Sequence, residues 1–311
     1  MLRNIACLDP KPNNLYYPPA RADYVYFEGP PFQPSAGFHY SNASWAADAS
    51  MFAYARYVKE RSNDAEFKGI LRKAGFRVAE TIGDCFIDNA STARGFFAGN
   101  DTFAILAFRG TEKDNDHDLA ADLDLVPWPE KPLGGRSAGS VHLGFQKYLA
   151  SVWNPVSELV RQYRRDHQTE EICITGHSLG AALATLAFHQ LQDPHSSLYT
   201  FGCPRVGNRA FSNDLTLPAQ THGIYRIVDD EDAVTHIPDS LGYVHPVCTV
   251  FWIDGGHQVV QNPAQMPDDR EDLEDLALDF LKGRIIDPLP EPLADHSPVR
   301  YCHWISQRAI A

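Results

Sequence analysis

A serine set between two glycines, Gly176-His177-Ser178-Leu179-Gly180, is the feature of this 311-residue chain best suited to chemistry. The pattern G-x-S-x-G is weak alone, because its residues are common, so its flanks decide. An apolar, β-branched run, Ile172-Cys173-Ile174-Thr175, leads in, and Ala181-Ala182-Leu183-Ala184 leads out. That is the strand–turn–helix context in which a serine stands on a strained turn as a nucleophile. Gly176 and Gly180 keep Cβ atoms away from the turn, and the alanines let the helix pack close to its sheet. The helix N-terminus aims N–H groups and a positive dipole end at the place where an oxyanion would form. The backbone N–H of Leu179, the residue after the nucleophile, is one oxyanion donor. The chemistry is acyl transfer, and it needs a base and an acid to orient that base.

The elements that must position these groups follow from periodicity and turn residues. Ser44 is read as the cap of a helix on which Ala47, Met51, Tyr54, Ala55 and Val58 recur. Strand-like stretches follow at Cys85–Ile87, Ala93–Phe97 and Phe103–Phe108, the last two paired across Gly99-Asn100-Asp101. A long helix is expected from Leu143 to Asp166, with a bend at Pro155. Strand Ile172–Thr175, helix Ser178–Leu191, strand Leu198–Phe201, a short helix near Ala210 and strand Ile224–Val228 come next. One further strand over Val244–Ile253 and helices near 269–283 and 298–308 close the chain. The alternation predicts a central, mostly parallel sheet with helices on both faces, and the serine turn makes this the frame of an α/β-hydrolase fold. Residues 1–43 read as an irregular Pro/Tyr-rich N-terminal arm, and residues 44–311 as one catalytic domain. In this fold the chain order is Ser, then acid, then His. The acids Asp229, Asp230, Glu231 and Asp232 and the bases His222, His236, His245, His257, His296 and His303 therefore stay open. His177 comes too early and is expected to line the turn.

With these residues in view, the sequence resembles the class 3 lipase family, typified by fungal triacylglycerol lipases and including bacterial relatives. The resemblance rests on Ala107-Phe108-Arg109-Gly110-Thr111, Val141-His142-Leu143-Gly144-Phe145 and the serine turn. It continues in Phe201-Gly202-Cys203-Pro204-Arg205-Val206-Gly207-Asn208, Asp232-Ala233-Val234-Thr235-His236-Ile237-Pro238 and Asp295-His296-Ser297-Pro298. It implies Ser178 as nucleophile, Asp232 as triad acid and His296 as base, with Thr111 and Leu179 as the oxyanion hole. Asp229, Asp230 and Glu231 would then be solvated loop charges, and His303 a structural residue of the last helix. Thr235 stands where many relatives have proline, and Cys203 fills a variable position. A lid is implied between Thr111 and His142, where Leu119, Ala120, Leu123 and Val126 form an apolar stripe; a fixed surface helix is the alternative.

The implied activity is serine carboxylic ester hydrolysis, lipase or esterase, on acylglycerols or similar lipid esters through an acyl-Ser178 intermediate. It needs no metal and no cofactor. The alternatives are a non-catalytic lipid-binding protein on the same fold, or a phospholipase A1, feruloyl esterase or acyltransferase with the same triad. The net charge of −13 disfavours nucleic acid and anionic membranes as partners. That leaves a lipid or small ester substrate, with transient contact at a lipid interface. No apolar run reaches the ~20 residues of a transmembrane helix. No signal peptide is recognisable, so the expectations are the cytoplasm or a non-standard export route; a leader already removed would read the same. The acidic run Asp268–Asp275 reads as a solvated helix face. Of six cysteines, none is spaced for zinc; Cys173 and Cys203 read as buried thiols, and a disulfide from Cys7 stays open.

Overall fold

The computed structural model describes residues 24–34, 37–54, 64–82, 94–110, 127–129, 139–168, 170–215, 223–238, 242–264, 271–281 and 290–311. Its strands are β1 (Val78–Ile82), β2 (Gly95–Gly99), β3 (Phe103–Phe108), β4 (Pro127–Pro129), β5 (Ser140–His142) and β6 (Glu171–His177). They continue with β7 (Ser196–Phe201), β8 (Gly207–Asn208), β9 (Gly223–Asp229), β10 (Tyr243–Val244), β11 (Thr249–Ile253) and β12 (Val259–Gln261). The helices are α1 (Tyr40–Phe52), α2 (Asp64–Lys73), α3 (Leu143–Asp166), α4 (Leu179–Leu191), α5 (Arg209–Leu215), α6 (Glu271–Leu281), α7 (Glu291–Ala294) and α8 (Pro298–Ile310).

Among the described residues the main sheet runs β1-β2-β3-β6-β7-β9-β11-β12. β3, β6, β7, β9 and β11 are mutually parallel. β1 and β2 at one edge and β12 at the other pair antiparallel. A small second sheet has the order β10-β8-β5-β4.

The central strands are buried on both faces, which is why they read as continuous apolar runs rather than alternating ones. Ile105, Cys173, Tyr199, Ile227 and Phe251 face α1 and α8. Leu106, Ile172, Ile174 and Leu198 face α3 and α4. Helices thus cover both faces. α4 is buried around nearly its whole circumference, in keeping with its Ala/Leu composition.

Two expectations are corrected. α1 begins at Tyr40, so Ser44 lies inside the helix, where its hydroxyl meets that of Ser306 on α8 at 3.0 Å. The stretch read as one strand over Val244–Ile253 divides between the two sheets. Pro246 lies at the break; it lacks a ladder donor and fixes its own φ. β1, α2 and β12 had no clear signal. The stripe Leu119–Val126, the stretch Cys85–Ile87 and Cys7 lie outside the described residues.

In the described part of the arm, Tyr24, Tyr26, Phe27 and Phe32 are buried in the α1 face of the core. Asp48 of α1 holds the arm by accepting from the Tyr24 hydroxyl and from the Phe27 N–H (2.7 Å). α6, from the acidic run, exposes Asp275 but buries Leu273 and Ala277 against Ala233, Val234 and Ile237. Among the described cysteines, Cys173, Cys203 and Cys302 are buried and Cys248 is half-buried. No described helix is long and apolar enough to cross a membrane.

Candidate active site

The C-terminal ends of the parallel strands converge on one point. β6 ends at His177, and Ser178 follows with φ 59° and ψ −130°, a conformation that costs energy unless its surroundings enforce it. They do. A Cβ on Gly176 would lie 2.2 Å from the carbonyl oxygen of Gly180, and one on Gly180 would lie 2.3 Å from that of Phe108. The turn therefore closes only with glycine at both positions. α4 starts at Leu179, so the Leu179 N–H belongs to the first turn, which has no acceptor within the helix. Arg109 and Gly110, past the end of β3, pack against the same turn. Thr111, the other expected oxyanion donor, lies outside the described residues.

β9 delivers the acids. Asp232 caps the short 3₁₀ turn Ala233–His236, accepting the Val234 N–H at Oδ1 (3.0 Å). His296 arrives from the opposite end of the chain, just before Ser297 and Pro298 start α8; the Ser297 hydroxyl accepts the Val299 N–H at 3.2 Å. His296 Nδ1 lies 2.9 Å from both Asp232 oxygens, and its Nε2 lies 2.8 Å from Ser178 Oγ. A carboxylate can only accept, so Nδ1 carries the proton and Nε2 is free to accept from the serine hydroxyl. Gly202, past β7 with φ +56°, makes room: a Cβ there would lie 2.7 Å from Asp232 Oδ2 and 2.9 Å from His296 Nδ1.

Burial works against ionisation of Asp232. The facing His296, its hydrogen bond and the Tyr301 hydroxyl outweigh that, so the carboxyl is held below its ordinary value. Tyr301 donates to Asp232 Oδ2 (2.6 Å) and accepts the Asp229 N–H (3.0 Å). Burial and the neighbouring Asp232 keep its phenol protonated. His177 is buried beside His296, and both effects drive it to the neutral form. Its Nε2–H donates to the His296 carbonyl (2.7 Å), and its Nδ1 accepts from the Tyr54 hydroxyl (2.9 Å).

Among the described histidines, His296 alone meets Ser178. His236 is buried on the 3₁₀ turn, His245 donates to the Thr235 carbonyl at 2.8 Å, and His257 stacks on Trp304. His303 accepts from Gln307 on the next turn of α8, and His222 lies outside the described residues. One expectation about the acids is overturned. Asp229 is not a solvated loop charge but is buried and ion-paired to Arg300 at 3.0 Å, because it is the last residue of a central strand. Sequence reasoning also missed Tyr54, Gly202, Arg300 and Tyr301. A weak signal existed for the last two, since they share the first turns of the helix that follows His296.

The family model described as Lipase (class 3) matches residues 105–241. A secreted mono- and diacylglycerol lipase of Fusarium solani is 37% identical over 119 residues, 37% of this chain and 35% of that protein. A lipase of Rhizomucor miehei is 32% identical over 182 residues, 56% of this chain and 47% of that protein. The chain thus spans half or less of the length of these curated relatives. Lipase II of Rhizopus niveus superposes with a TM-score of 0.56 at 27% identity, covering 72% of this chain and 84% of that one.

Proposed function

We propose, starting from a chain that belongs to the class 3 lipase family of the α/β-hydrolases, that it is a serine carboxylic ester hydrolase acting on acylglycerols or similar lipid esters. The observation that carries the reading is the unbroken hydrogen-bond chain Ser178 Oγ–His296–Asp232, at 2.8 and 2.9 Å.

In the reaction, Ser178 Oγ attacks the ester carbonyl as His296 Nε2 takes its proton. Negative charge collects on the carbonyl oxygen, facing the Leu179 N–H and, in the proposed hole, Thr111. Collapse breaks the bond to the alcohol, which leaves with the proton from His296, and Ser178 keeps the acyl group. Water then repeats the sequence through the same base and releases the carboxylic acid. Asp232 stabilises the imidazolium each time and fixes its tautomer. Tyr301 and the Val234 N–H hold the carboxylate in place. A lipid substrate implies transient contact with a lipid surface.

The test is hydrolysis of p-nitrophenyl esters from short to long acyl chains by the wild type and Ser178→Ala. Loss of the nucleophile is expected to cost about 10⁶-fold in kcat. A wild-type rate no greater than that of the variant would make the chain a lipid-binding protein on a hydrolase fold. Activity confined to short chains would replace lipid esters with small esters as the substrate.

A further inference from the structure

Beside the acid and base of the triad, a second group of charges is closed off from solvent. Asp229 and Asp295 are fully buried and Arg300 is 7% exposed. Asp229 ends β9, three residues before Asp232. Asp295 immediately precedes His296. Arg300 sits in the first turn of α8, beside Tyr301. Arg300 Nε donates to Asp229 Oδ2 at 3.0 Å, and its Nη2 lies 2.7 Å from Asp295 Oδ1 as an ion pair. The second oxygen of Asp295 accepts the Glu231 N–H at 3.2 Å, which ties it to the loop of Asp232. Two segments that meet across 64 residues of sequence are thus joined not only by His296 and Tyr301 but also through the guanidinium and through Asp295.

We propose that Arg300 is a positioning residue for this hydrolysis: holding Asp229 and Asp295 together, it locks the loop of Asp232 to the loop of His296 and sets the angle at which the imidazole meets Ser178. The inference rests on the reading of Ser178, Asp232 and His296 as a catalytic triad. The fork of a guanidinium reaches two carboxylates from two of its nitrogens, which an ammonium cannot do with the same fixed geometry.

The charge balance adds a consequence. Asp229 faces Arg300, Asp295, Asp232 and the Tyr301 hydroxyl. Asp295 faces Arg300, Asp232, Asp230 and the Glu231 N–H. One guanidinium cannot neutralise so many buried carboxylates, so Asp229 and Asp295 together retain a proton near neutrality. Burial, opposed by Arg300, pushes Asp295 up to about 7, and Asp229 is raised as well. Asp229 Oδ1 is buried with no hydrogen-bond partner among the described residues, which makes the ionised carboxylate costly there.

Three readouts on Arg300→Lys and Asp229→Asn test the proposal: kcat and KM on a p-nitrophenyl ester from pH 5 to 9, the thermal midpoint, and the downfield proton resonance of His296 Nδ1–H. Arg300→Lys is expected to lose about tenfold to a hundredfold in kcat, the size of effect that a misplaced catalytic group produces. KM should stay within about twofold, since ground-state binding is untouched, and the His296 resonance should move. Asp229→Asn keeps the oxygen that Arg300 uses, so it should retain kcat within about threefold at its optimum. Removing one acid should also shift the pH profile at neutral and alkaline pH.

A folded Arg300→Lys with wild-type kcat and an unmoved resonance would overturn the proposal. If Arg300→Lys does not fold, an Asp229→Asn profile superimposable on the wild type would overturn it. A wild type no faster than Ser178→Ala would instead overturn the hydrolase reading. The resonance, which needs no turnover, would still decide whether Arg300 orients His296.

Discussion

The two halves of the proposed triad are positioned by opposite means. The nucleophile's half is continuous in sequence, from Glu171 to Leu191, and largely apolar. It is fixed by backbone contacts that leave no room for a Cβ at Gly176 or Gly180. The acid–base half joins residues 229–232 to residues 295–301 through buried charges and directed hydrogen bonds. The serine turn of the first half depends on shape. The second depends on which carboxylates hold protons. An enzyme assembled this way can lose activity while its nucleophile stays in place, and the loss will follow the ionisation of groups that never touch substrate.

Among changes that leave Ser178 in place, the largest expected effect falls on the polar half. Asp232→Asn keeps the size of the side chain but can turn its amide toward His296 Nδ1 and select the wrong tautomer. A loss of about 10⁴-fold in kcat is expected, with the fold intact. A loss below tenfold would transfer the acid's role to a neighbour and break the comparison. Tyr301→Phe removes one hydrogen bond to the same carboxylate. It should weaken transition-state stabilisation by about 1.5–3 kcal/mol, read as kcat/KM, because the bond is to a charged group. The matching test of the apolar half is Gly180→Ala. Its Cβ would press on the Phe108 carbonyl, and overpacking of this kind costs about 1–3 kcal/mol of stability, read by denaturant unfolding.

The same contrast explains what the sequence revealed. The strands β3, β6 and β7, the helices α3 and α4, and the serine turn between them were legible because each is encoded by neighbours: apolar runs, an Ala/Leu helix and two glycines. Ser178 could be named from that context alone. Asp232 and His296 could be singled out from their rivals only by resemblance, because nothing local distinguishes four consecutive acids or six downstream histidines. Asp229 was misread for the same reason. Whether a strand-end carboxylate is solvated or buried depends on Arg300, 71 residues away. Tyr54 and Gly202 left no local trace, because their importance lies in what the fold brings against them.

The pH dependence of stability separates the halves most cleanly, because it reads protons rather than rate. A free carboxyl titrates near 4, while Asp295 in the folded chain titrates at about 7. Between those values the folded state binds the extra proton. Stability should therefore fall as pH rises from about 4 to about 7, by at most about 1.4 kcal/mol per pH unit for one proton. The raised Asp229 acts in the same direction. Asp232, held below its ordinary value, acts in the opposite sense, and its contribution is lost only as pH falls through that lowered range. Denaturant midpoints at pH 5 and pH 8 should thus favour the acidic condition in the wild type. Gly180→Ala should lower both midpoints in parallel, since no proton is involved. Asp229→Asn should shrink the difference, because Asp295 then pairs with Arg300 one to one and ionises more readily. Equal slopes in all three proteins would mean that the acid–base half, like the serine turn, is held by shape alone.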